Sequence, residues 1–354
     1  MLINMLTQAI AVICVLGVIT LIHEWGHYVS ARSVGVAVQE FSIGLGPALW
    51  KKRGKETLFS LRCIPFGGYC LFDPETEKVD AKGRPASLLR RNALTKMYIL
   101  AAGPVMNFVL AAALFALLFA VIGVGVGFEP VIGQVQPDSP AAAAGILPGD
   151  RVLAIAGEPL ASWEDLSRIV TERQDEGALD FLLSRQGREI ALTVTPRYDP
   201  DAGRILIGVT VDTAGEIRSK SNPLRGIWLG LLQTVNMIGV LLGALTQMAT
   251  GQISAADNVS GPVALVRVIG ETASSGLWNT LWLTAFLSVN LGIMNLLPIP
   301  ALDGGKILVC LVELIRRKPL SLEVEGWINM VGFVLLISLM IFLTARDIFQ
   351  VAGS

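Results

Sequence analysis

The sequence predicts a polytopic α-helical membrane protein with four transmembrane helices, a membrane-associated β-hairpin and a small inserted α+β domain. Three observations lead to this prediction. The 354 residues are 53% hydrophobic and only 16% charged, whereas about 25% of the residues in a soluble domain are charged. Four apolar runs reach the length of about 20 residues that a bilayer-spanning helix needs. Between the second and the third run, the composition becomes that of a globular domain.

The apolar runs and the stretches between them divide the chain into seven predicted segments. They are a first transmembrane helix at 1–30, a loop at 31–96, a second helix at 97–127, the inserted domain at 128–215, an amphipathic membrane-surface region at 216–275, a third transmembrane segment at 276–316 and a fourth helix at 326–346. The run 224–250 is also apolar, but it carries Gln233, Asn236 and Gln247. These side chains favour a helix lying on the membrane surface, although a fifth span stays open.

Basic residues predict which loops are cytoplasmic. Loop 31–96 is rich in Lys and Arg, and Arg316, Arg317 and Lys318 follow the third segment. Because basic loops stay on the cytoplasmic side, four spans place both of these loops inside and the inserted domain outside. Within the loop, residues 40–45 and 57–64 predict two strands around a polar turn. We expect a hairpin that dips back into the membrane; the alternative is an ordinary hairpin on the membrane surface.

The inserted domain shows short strands, one of them predicted over 204–211, and one helix, predicted at 162–174 with Ser162 as its N-cap. The stretch DSPAAAAGILPGDRVLAIAGEPLASWEDL resembles the PDZ family, whose members bind extended peptides along a sheet edge. The resemblance implies a peptide groove beside this helix, lined by Leu206, Ile207, Gly208 and Val209. The alternative is a small domain that binds nothing and only blocks access to the membrane part.

Both histidines of the chain lie in one motif, His23-Glu24-Trp25-Gly26-His27. Positions i and i+4 lie on one face of a helix, so both imidazoles can bind one ion, at a Zn–N distance of about 2.0–2.1 Å. Glu24 is then placed to take a proton from water. Ionisable groups in an apolar span are costly and usually functional. The alternative is a set of polar residues that ends the first span at the interface.

A catalytic zinc site usually has three protein ligands, and no third histidine exists. The candidate in an apolar setting is Asp303, in NLLPIPALDGGK, where two prolines break the helix and two glycines follow. Irregular backbone at membrane depth is tolerated only where protein or a cavity surrounds it. Taken alone, Asp303 could also be a helix-end residue at the interface. Cys14 and Cys310 are expected to be packing residues, and no disulfide framework is expected.

The motif HExxH in the first span, paired with NxxPxPxLDGG in the third, resembles the site-2 protease family of intramembrane zinc metalloproteases, and most closely its RseP-like bacterial branch. The segments FSIGLGP, LRCIPFGGY and AAGPVMNF are similar to family segments as well. The resemblance implies Zn²⁺ bound by His23, His27 and Asp303, with Glu24 as the catalytic residue. It also implies substrate-binding residues, which are Asn290, Asn295, Gly44 and Gly46.

By this resemblance, the chain cleaves transmembrane segments of membrane proteins in the bacterial plasma (inner) membrane. Anti-sigma factors and signal-peptide remnants both fit, as substrates that a site-1 protease has already cut. The chain departs from the family by carrying a single PDZ domain, which could filter substrates by size or bind a new C-terminus, and by Lys306, where many relatives have histidine. The alternatives are a non-catalytic membrane scaffold and a metal transporter. A net charge of −1 argues against nucleic acid as a partner.

Overall fold

The structure is a computed structural model that describes residues 2–72, 79, 86–173, 177–199, 204–212, 215–219, 222–254, 261–318 and 320–353. The chain forms two compact units. One unit joins Met1–Leu118 to Pro223–Ser354, and the other consists of Phe119–Asn222.

The helices differ sharply in length between the two units. In chain order, they are α1 (Leu2–Ser33), α2 (Ala93–Val121), α3 (Pro140–Ala144), α4 (Trp163–Glu172), α5 (Pro223–Ala249), α6 (Pro262–Ser274), α7 (Leu277–Leu296), α8 (Asp303–Arg316) and α9 (Leu322–Gly353), with a 3₁₀ turn at Leu88–Arg90. Among the described residues, five of these helices (α1, α2, α5, α7 and α9) are long and apolar enough to cross a membrane. The chain is therefore a multi-pass membrane protein.

Apolar side chains hold α1 against α6 and α7. Val12, Val15 and Ile19 form a buried cluster with Ile269 and Leu283. Their spacing of three and four residues along α1 places them on one face of that helix. The same face continues toward the C-terminal end of α1, where the histidines lie.

Two strands follow α1 and pair with each other: β1 (Val38–Arg53) and β2 (Leu58–Phe72). Ser42 has two partners, Ser60 and Tyr69, because β2 passes β1 on both sides. Residues 40–43 are thus central, and 48–53 and 68–72 form the edges. The rings of Tyr28 on α1 and Phe41 on β1 are 5.5 Å apart, so aromatic packing attaches the hairpin to the helix.

The second unit is built from short strands and two short helices. Its strands are β3 (Val124–Phe128), β4 (Ile132–Val135), β5 (Arg151–Ile155), β6 (Glu158–Pro159), β7 (Leu179–Arg185), β8 (Arg188–Val194), β9 (Arg197–Asp199), β10 (Arg204–Leu206), β11 (Val209–Val211) and β12 (Glu216–Ser219). The largest sheet has the order β6-β5-β7-β8. Ser162 caps α4 and forms a capping box with Asp165, which confirms the predicted N-cap. The core contains Ile155, Ile169 and Phe181.

Asp150, in the PGD turn of the second unit, is almost fully buried. Its carboxylate accepts hydrogen bonds from the backbone N–H of Leu147 at 2.9 Å and from Arg185 at 2.7 Å. Burial alone would raise the pKa of Asp150, but the hydrogen bond and the charge of Arg185, with the Leu147 amide, hold that pKa below its ordinary value. The turn is thus fixed by a hydrogen-bonded ion pair whose carboxylate is buried and whose arginine is partly exposed.

Two predicted boundaries are wrong. The second helix does not extend to 127, because α2 ends at Val121 and residues 124–128 form a strand that pairs with β12. Glycine alternates with valine in this stretch and Gly123 adopts a φ of +90°, which ends the helix and favours the period of two of a strand. The strand predicted over 204–211 is interrupted at Gly208, which has a φ of +78°.

Candidate metal centre

α1 presents two histidines one turn apart near its C-terminal end. His23 and His27 are 7% and 6% exposed, and their Nε2 atoms lie 3.2 Å apart. Side chains four residues apart are neighbours on a helix face. The two rings meet edge to face, with centroids 4.9 Å apart, so both Nε2 atoms face one small space.

Asp303, the first residue of α8, brings a carboxylate oxygen to the same space. Its Oδ2 atom lies 3.1 Å from Nε2 of His23 and 3.2 Å from Nε2 of His27. Within the described part of the chain, these three side chains form the one group of His, Cys, Asp and Glu with the spacing of metal ligands. The structure thus brings together the three ligands that the sequence predicts.

The turn between α7 and α8 folds back on the first turn of α8 and so fixes Asp303. A methyl group at Gly304 would lie 2.3 Å from two carbonyl oxygens at the end of α7, and one at Gly305 would lie 2.2 Å from that of Ile299. Both glycines are therefore required by close backbone approach. Ala301 adopts a φ of +74°, a conformation that costs a non-glycine residue about 1–3 kcal/mol, so the tight turn is strained.

Hydrogen bonding indicates what the three facing atoms can hold. Nδ1 of His27 lies 2.8 Å from the backbone carbonyl of Ile99. A carbonyl only accepts, so Nδ1 carries a proton, and in the neutral imidazole Nε2 then presents a lone pair. Oδ2 of Asp303 is buried and has no hydrogen-bond partner among the described residues. Lone pairs that face each other at 3.1–3.2 Å repel one another, and a metal cation or a proton between them removes this repulsion.

The size of this triangle suits a zinc ion. Ligand atoms about 2.0–2.1 Å from a tetrahedral Zn²⁺ are about 3.3 Å from each other, close to the 3.1–3.2 Å observed. Two imidazoles and a carboxylate are a ligand set of catalytic zinc sites, in which a fourth position stays open. The residues present therefore fit Zn²⁺.

α2 leaves room for the histidines at Gly103. A methyl group there would lie 2.3 Å from Nε2 of His27 and 2.9 Å from Cε1 of His23. Gly26, which precedes His27 on α1, also lies very close to α2: a methyl group added at Gly26 would lie 2.3 Å from the carbonyl oxygen of Ala102. The two helices are thus in backbone contact beside the metal site, which sequence reasoning did not foresee.

Glu24 lies between the histidines in sequence and faces the hairpin. It is half-buried, and a methyl group at Gly68 would lie 3.2 Å from its Cγ atom. Glu24 makes no hydrogen bond within the described residues, so its carboxylate is available for chemistry.

Asn107 on α2 is the polar residue that sequence reasoning missed. It is fully buried, and its carboxamide lies 3.2 Å from Nδ1 of His23. Its backbone carbonyl accepts a hydrogen bond of 2.8 Å from Ser288 of α7. A signal existed, since Asn107 is the one amide side chain in α2 and lies in the apolar part of the helix that follows Tyr98, and buried polar groups in membranes are usually functional.

The other predicted substrate-binding residues lie on two elements. Asn290 and Asn295 are half-buried on α7, and neither side chain makes a hydrogen bond within the part of the chain that the structure describes. Gly44 and Gly46 lie in β1 with φ values of +84° and +82°. A methyl group at Gly44 would lie 2.6 Å from the carbonyl oxygen of Ile64. These glycines therefore shape the hairpin.

The predicted peptide groove falls on the junction of β10 and β11. Leu206 ends β10, Val209 begins β11, and Ile207 and Gly208 are buried between them. The carbonyl of Gly208 accepts a hydrogen bond of 2.9 Å from the N–H of Gln136. The carbonyl of Ile207 accepts one from Ala141, also at 2.9 Å. These two carbonyls are thus already used inside the domain.

The sequence matches one protein family along almost its entire length. That family is described as Peptidase family M50, and the match covers residues 11–339. The chain belongs to peptidase family M50. This M50 peptidase is accordingly an intramembrane zinc metalloprotease, and its cofactor is Zn²⁺.

Relatives of this M50 peptidase include proteins named zinc metalloprotease RasP. RasP of Oceanobacillus iheyensis is 30% identical over 422 residues, which cover 97% of this chain and 99% of the relative. RasP of Geobacillus kaustophilus is 30% identical over 421 residues, covering 97% and 98%. A protein of Clostridium acetobutylicum, provisionally named a zinc metalloprotease, is 37% identical over 333 residues, which cover 94% of each chain.

Two solved structures match a quarter of this M50 peptidase. The PDZ domain of an SdrC-like protein from Listeria monocytogenes is 19% identical and covers 25% of this chain and 93% of that domain, with a TM-score of 0.22. A solution structure from Geobacillus thermodenitrificans is 25% identical and covers 25% of this chain and all of its own length, with a TM-score of 0.21.

Proposed function

We propose that the chain cleaves transmembrane helices of other membrane proteins, with His23, His27 and Asp303 as zinc ligands and Glu24 as the base. The observation that carries this proposal is the triangle of lone-pair atoms between helices long enough to span a bilayer. A peptide bond that reaches these atoms must itself lie within the membrane. The substrate is therefore a membrane-embedded segment.

The chemistry divides between the ion and the chain. Zinc, when bound, acts as a Lewis acid on the scissile carbonyl and lowers the pKa of water. The chain supplies the base. Glu24 takes the proton of the attacking water and transfers it to the leaving nitrogen. The free side chains of Asn290 and Asn295 hydrogen-bond the substrate backbone in this proposal, since a helix that unwinds for cleavage exposes its amide groups.

The hairpin is proposed to hold the unwound substrate as an added strand. Its edge at residues 68–72 is unpaired on one side in the described structure, and Gly68 on that edge packs against Glu24. A peptide added to this edge gains main-chain hydrogen bonds next to the base. The membrane association of the hairpin, with Gly44 and Gly46 at the substrate, belongs to the same proposal.

Four spans are proposed, namely α1, α2, the pair α7–α8 and α9. α5 is long enough to cross the membrane, but the position of α6 argues against a crossing. α6 begins where the N–H of Gly261 donates to Asp347, near the C-terminal end of α9. It ends where Ser274 bonds Gln8, about 22 Å along α1 from His23, so both of its ends lie at the outer side of the proposed spans. Residues 250–260 are too few for a spanning helix. Both ends of α5 then lie on the outer side.

The PDZ-like unit is proposed to lie outside the plasma membrane, because the basic loops lie inside. It either filters substrates by size, admitting those that a site-1 protease has shortened, or binds the new C-terminus. A Gly208→Val variant separates these roles, since its side chain would meet Cβ of Ser139, 2.2 Å from the ideal Cβ position. If the unit is a size filter, the variant should cleave substrate that no site-1 protease has shortened. If the unit binds the new C-terminus, the variant should cleave the shortened substrate more slowly.

The decisive experiment is Glu24→Gln in the full chain, reconstituted with a membrane protein substrate. We expect the variant to retain one zinc per chain and to lose cleavage, because the amide cannot take a proton. Glu323→Gln, an exposed change at the start of α9, is the matched control. Wild-type cleavage by Glu24→Gln would exclude Glu24 as the base. A scaffold predicts no cleavage by the wild type, and a transporter predicts zinc flux across vesicles.

A further inference from the structure

The environment of His23 contains an unbalanced pair of hydrogen-bonding groups. Nδ2 of Asn107 lies 3.2 Å from Nδ1 of His23, while Oδ1 of Asn107 is buried and has no partner among the described residues. If Nε2 of His23 is the metal ligand, as in the proposed function, Nδ1 carries the proton. Two donors, Nδ2 of Asn107 and Nδ1 of His23, then face each other, while the acceptor Oδ1 of Asn107 makes no hydrogen bond within the described residues.

A half-turn of the carboxamide resolves this imbalance, because its oxygen and nitrogen have nearly the same shape. We propose that Asn107 is a positioning residue whose Oδ1 accepts the Nδ1 proton of His23 and so directs the lone pair of Nε2 to the zinc. The amide NH₂ then occupies the former place of Oδ1, where a water molecule can satisfy it.

His27 provides the precedent within the same site. Its Nδ1 donates to the backbone carbonyl of Ile99, two turns before Asn107 on α2. One helix that contributes no ligand thus fixes the tautomer of both imidazoles, once through the main chain and once through a side chain. Such partners of ligating histidines change metal affinity by about 10- to 100-fold when they are removed.

The competing explanation is that Asn107 only packs α2 against α1 and α7. Asn107→Leu keeps the branched shape of the side chain and removes the acceptor, whereas Asn107→Asp keeps an acceptor at this position. Ser288→Ala is the control, since Ser288 bonds the backbone of Asn107 and not the imidazole. The packing explanation predicts that both Asn107 variants bind metal alike.

The test measures zinc affinity of the purified full chain by chelator competition, together with the visible spectrum of the Co²⁺ form. We expect Asn107→Leu to bind zinc at least tenfold more weakly and to shift the Co²⁺ bands, while Asn107→Asp and Ser288→Ala stay within a few-fold of the wild type. Wild-type affinity in Asn107→Leu, or an equal loss in Asn107→Asp, overturns the proposal. A wild type without zinc affinity would instead refute the proposed function.

A second, independent observation concerns the cationic tip, defined as Lys51, Lys52, Arg53 and Lys55 of the hairpin. All four side chains are exposed, and none has an ion pair or hydrogen bond among the described residues. Leu49 and Trp50, which precede them, are 70% and 52% exposed. A tryptophan beside a cluster of cations is typical of a membrane–water interface.

The contacts of the hairpin set the depth of the cationic tip. Glu56 accepts a hydrogen bond from Arg32, in the last turn of α1. Thr57 donates one of 2.9 Å to the carbonyl of Val38, just beyond α1. The cationic tip therefore lies level with the end of α1, which the basic loop places at the cytoplasmic surface. At the opposite end of the hairpin, where Leu45 pairs with Ile64, the exposed side chains are apolar.

We infer that the cationic tip binds anionic phospholipid headgroups of the cytoplasmic leaflet. Clusters of four or more basic residues next to a transmembrane helix attract such lipids, and among the described residues no anionic side chain pairs with these cations. Because the same hairpin carries Gly68 against Glu24, lipid binding at one end would steady the substrate-binding edge at the other.

The test follows tryptic cleavage at the cationic tip in the full chain in nanodiscs, which leave both leaflets accessible. We expect cleavage to be at least tenfold slower with phosphatidylglycerol than with phosphatidylcholine alone, and the protection to disappear at high salt. Inorganic phosphate should not protect. Equal rates of tryptic cleavage in both lipids would overturn the inference. Protection by inorganic phosphate, or by a soluble cytosolic fraction without anionic lipid, would also overturn it. This readout does not depend on proteolytic activity.

Discussion

Gly103→Ala tests whether α2 leaves only enough space for the metal ligands. The added methyl carbon would lie 2.3 Å from Nε2 and 2.6 Å from Cε1 of His27, and 2.9 Å from Cε1 of His23. Ordinary carbon contacts are about 3.5 Å or longer, so the ring and α2 must separate by about 1 Å. Neither yields easily, because Ile99 holds Nδ1 of His27 and Gly26 touches Ala102.

The size of the effect follows from this displacement. Inserting a methyl group into a packed interior costs about 1–3 kcal/mol. If this cost falls on the metal-bound state, zinc binds about 5- to 150-fold more weakly. A catalytic group misplaced by 1 Å also lowers the rate by about 100-fold. We therefore expect Gly103→Ala to lose both zinc affinity and cleavage, although alanine is a better helix former than glycine.

The assay compares chelator competition and cleavage for Gly103→Ala and for Gly17→Ala. Gly17 lies in α1 and has nothing within 4 Å of the ideal Cβ position, so its alanine variant should match the wild type. Thermal unfolding in detergent identifies any general loss of folding. A Gly103→Ala protein that binds zinc within twofold of the wild type and cleaves normally would refute the close contact between α2 and the ligands.

Three further changes test contacts around the centre and in the second unit. Glu313→Gln leaves Lys96, 3.1 Å away and almost buried, without its counter-charge. We expect the free energy of unfolding to fall by about 3–5 kcal/mol, so the unfolding temperature should be lower than that of Glu323→Gln. Asp347→Ala removes the carboxylate that accepts from the N–H groups of Gly261 and Ala264 and should cost about 1–3 kcal/mol, read in the same way. In the second unit, the pKa of Asp150 is lowered on folding, so its stabilising contribution is present above about pH 4 and is lost as the pH falls through the folded pKa. In limited proteolysis of the full chain, residues 119–222 should be cut faster as the pH is lowered. The Asp150→Asn variant should be cut faster than the wild type at pH 7, and its cleavage rate should change less with pH. Equal acid sensitivity of the two proteins would contradict this.

The sequence was sufficient to predict that these three side chains lie together, because their signals are local. His23 and His27 lie four residues apart on a helix, and that spacing alone makes them neighbours. Asp303 was identified by the cost of a carboxylate in an apolar segment and by the prolines and glycines beside it. The structure explains these glycines physically, since a methyl group at Gly304 or Gly305 would lie only 2.3 or 2.2 Å from a backbone carbonyl oxygen.

The contribution of α2 could not be predicted in the same way. Ile99 acts through its backbone carbonyl, which every residue has, and Gly103 acts through the absence of a side chain. Their roles depend on how α1 packs against α2, and the spacing of residues within one helix does not predict the packing between two helices. Hydropathy likewise placed the end of the second span at 127, because glycine and valine are apolar in a strand as well as in a helix.

The arrangement also separates two tasks that a metal site must perform. The pair on α1 is held by α2 through Ile99 and Asn107, so these imidazoles are oriented whether or not the third ligand is present. Asp303 arrives on α8, whose far end is attached to α2 by the ion pair between Glu313 and Lys96. Since α2 contacts both α1 and α8, it links the histidines to the carboxylate more directly than the long chain that connects them in sequence.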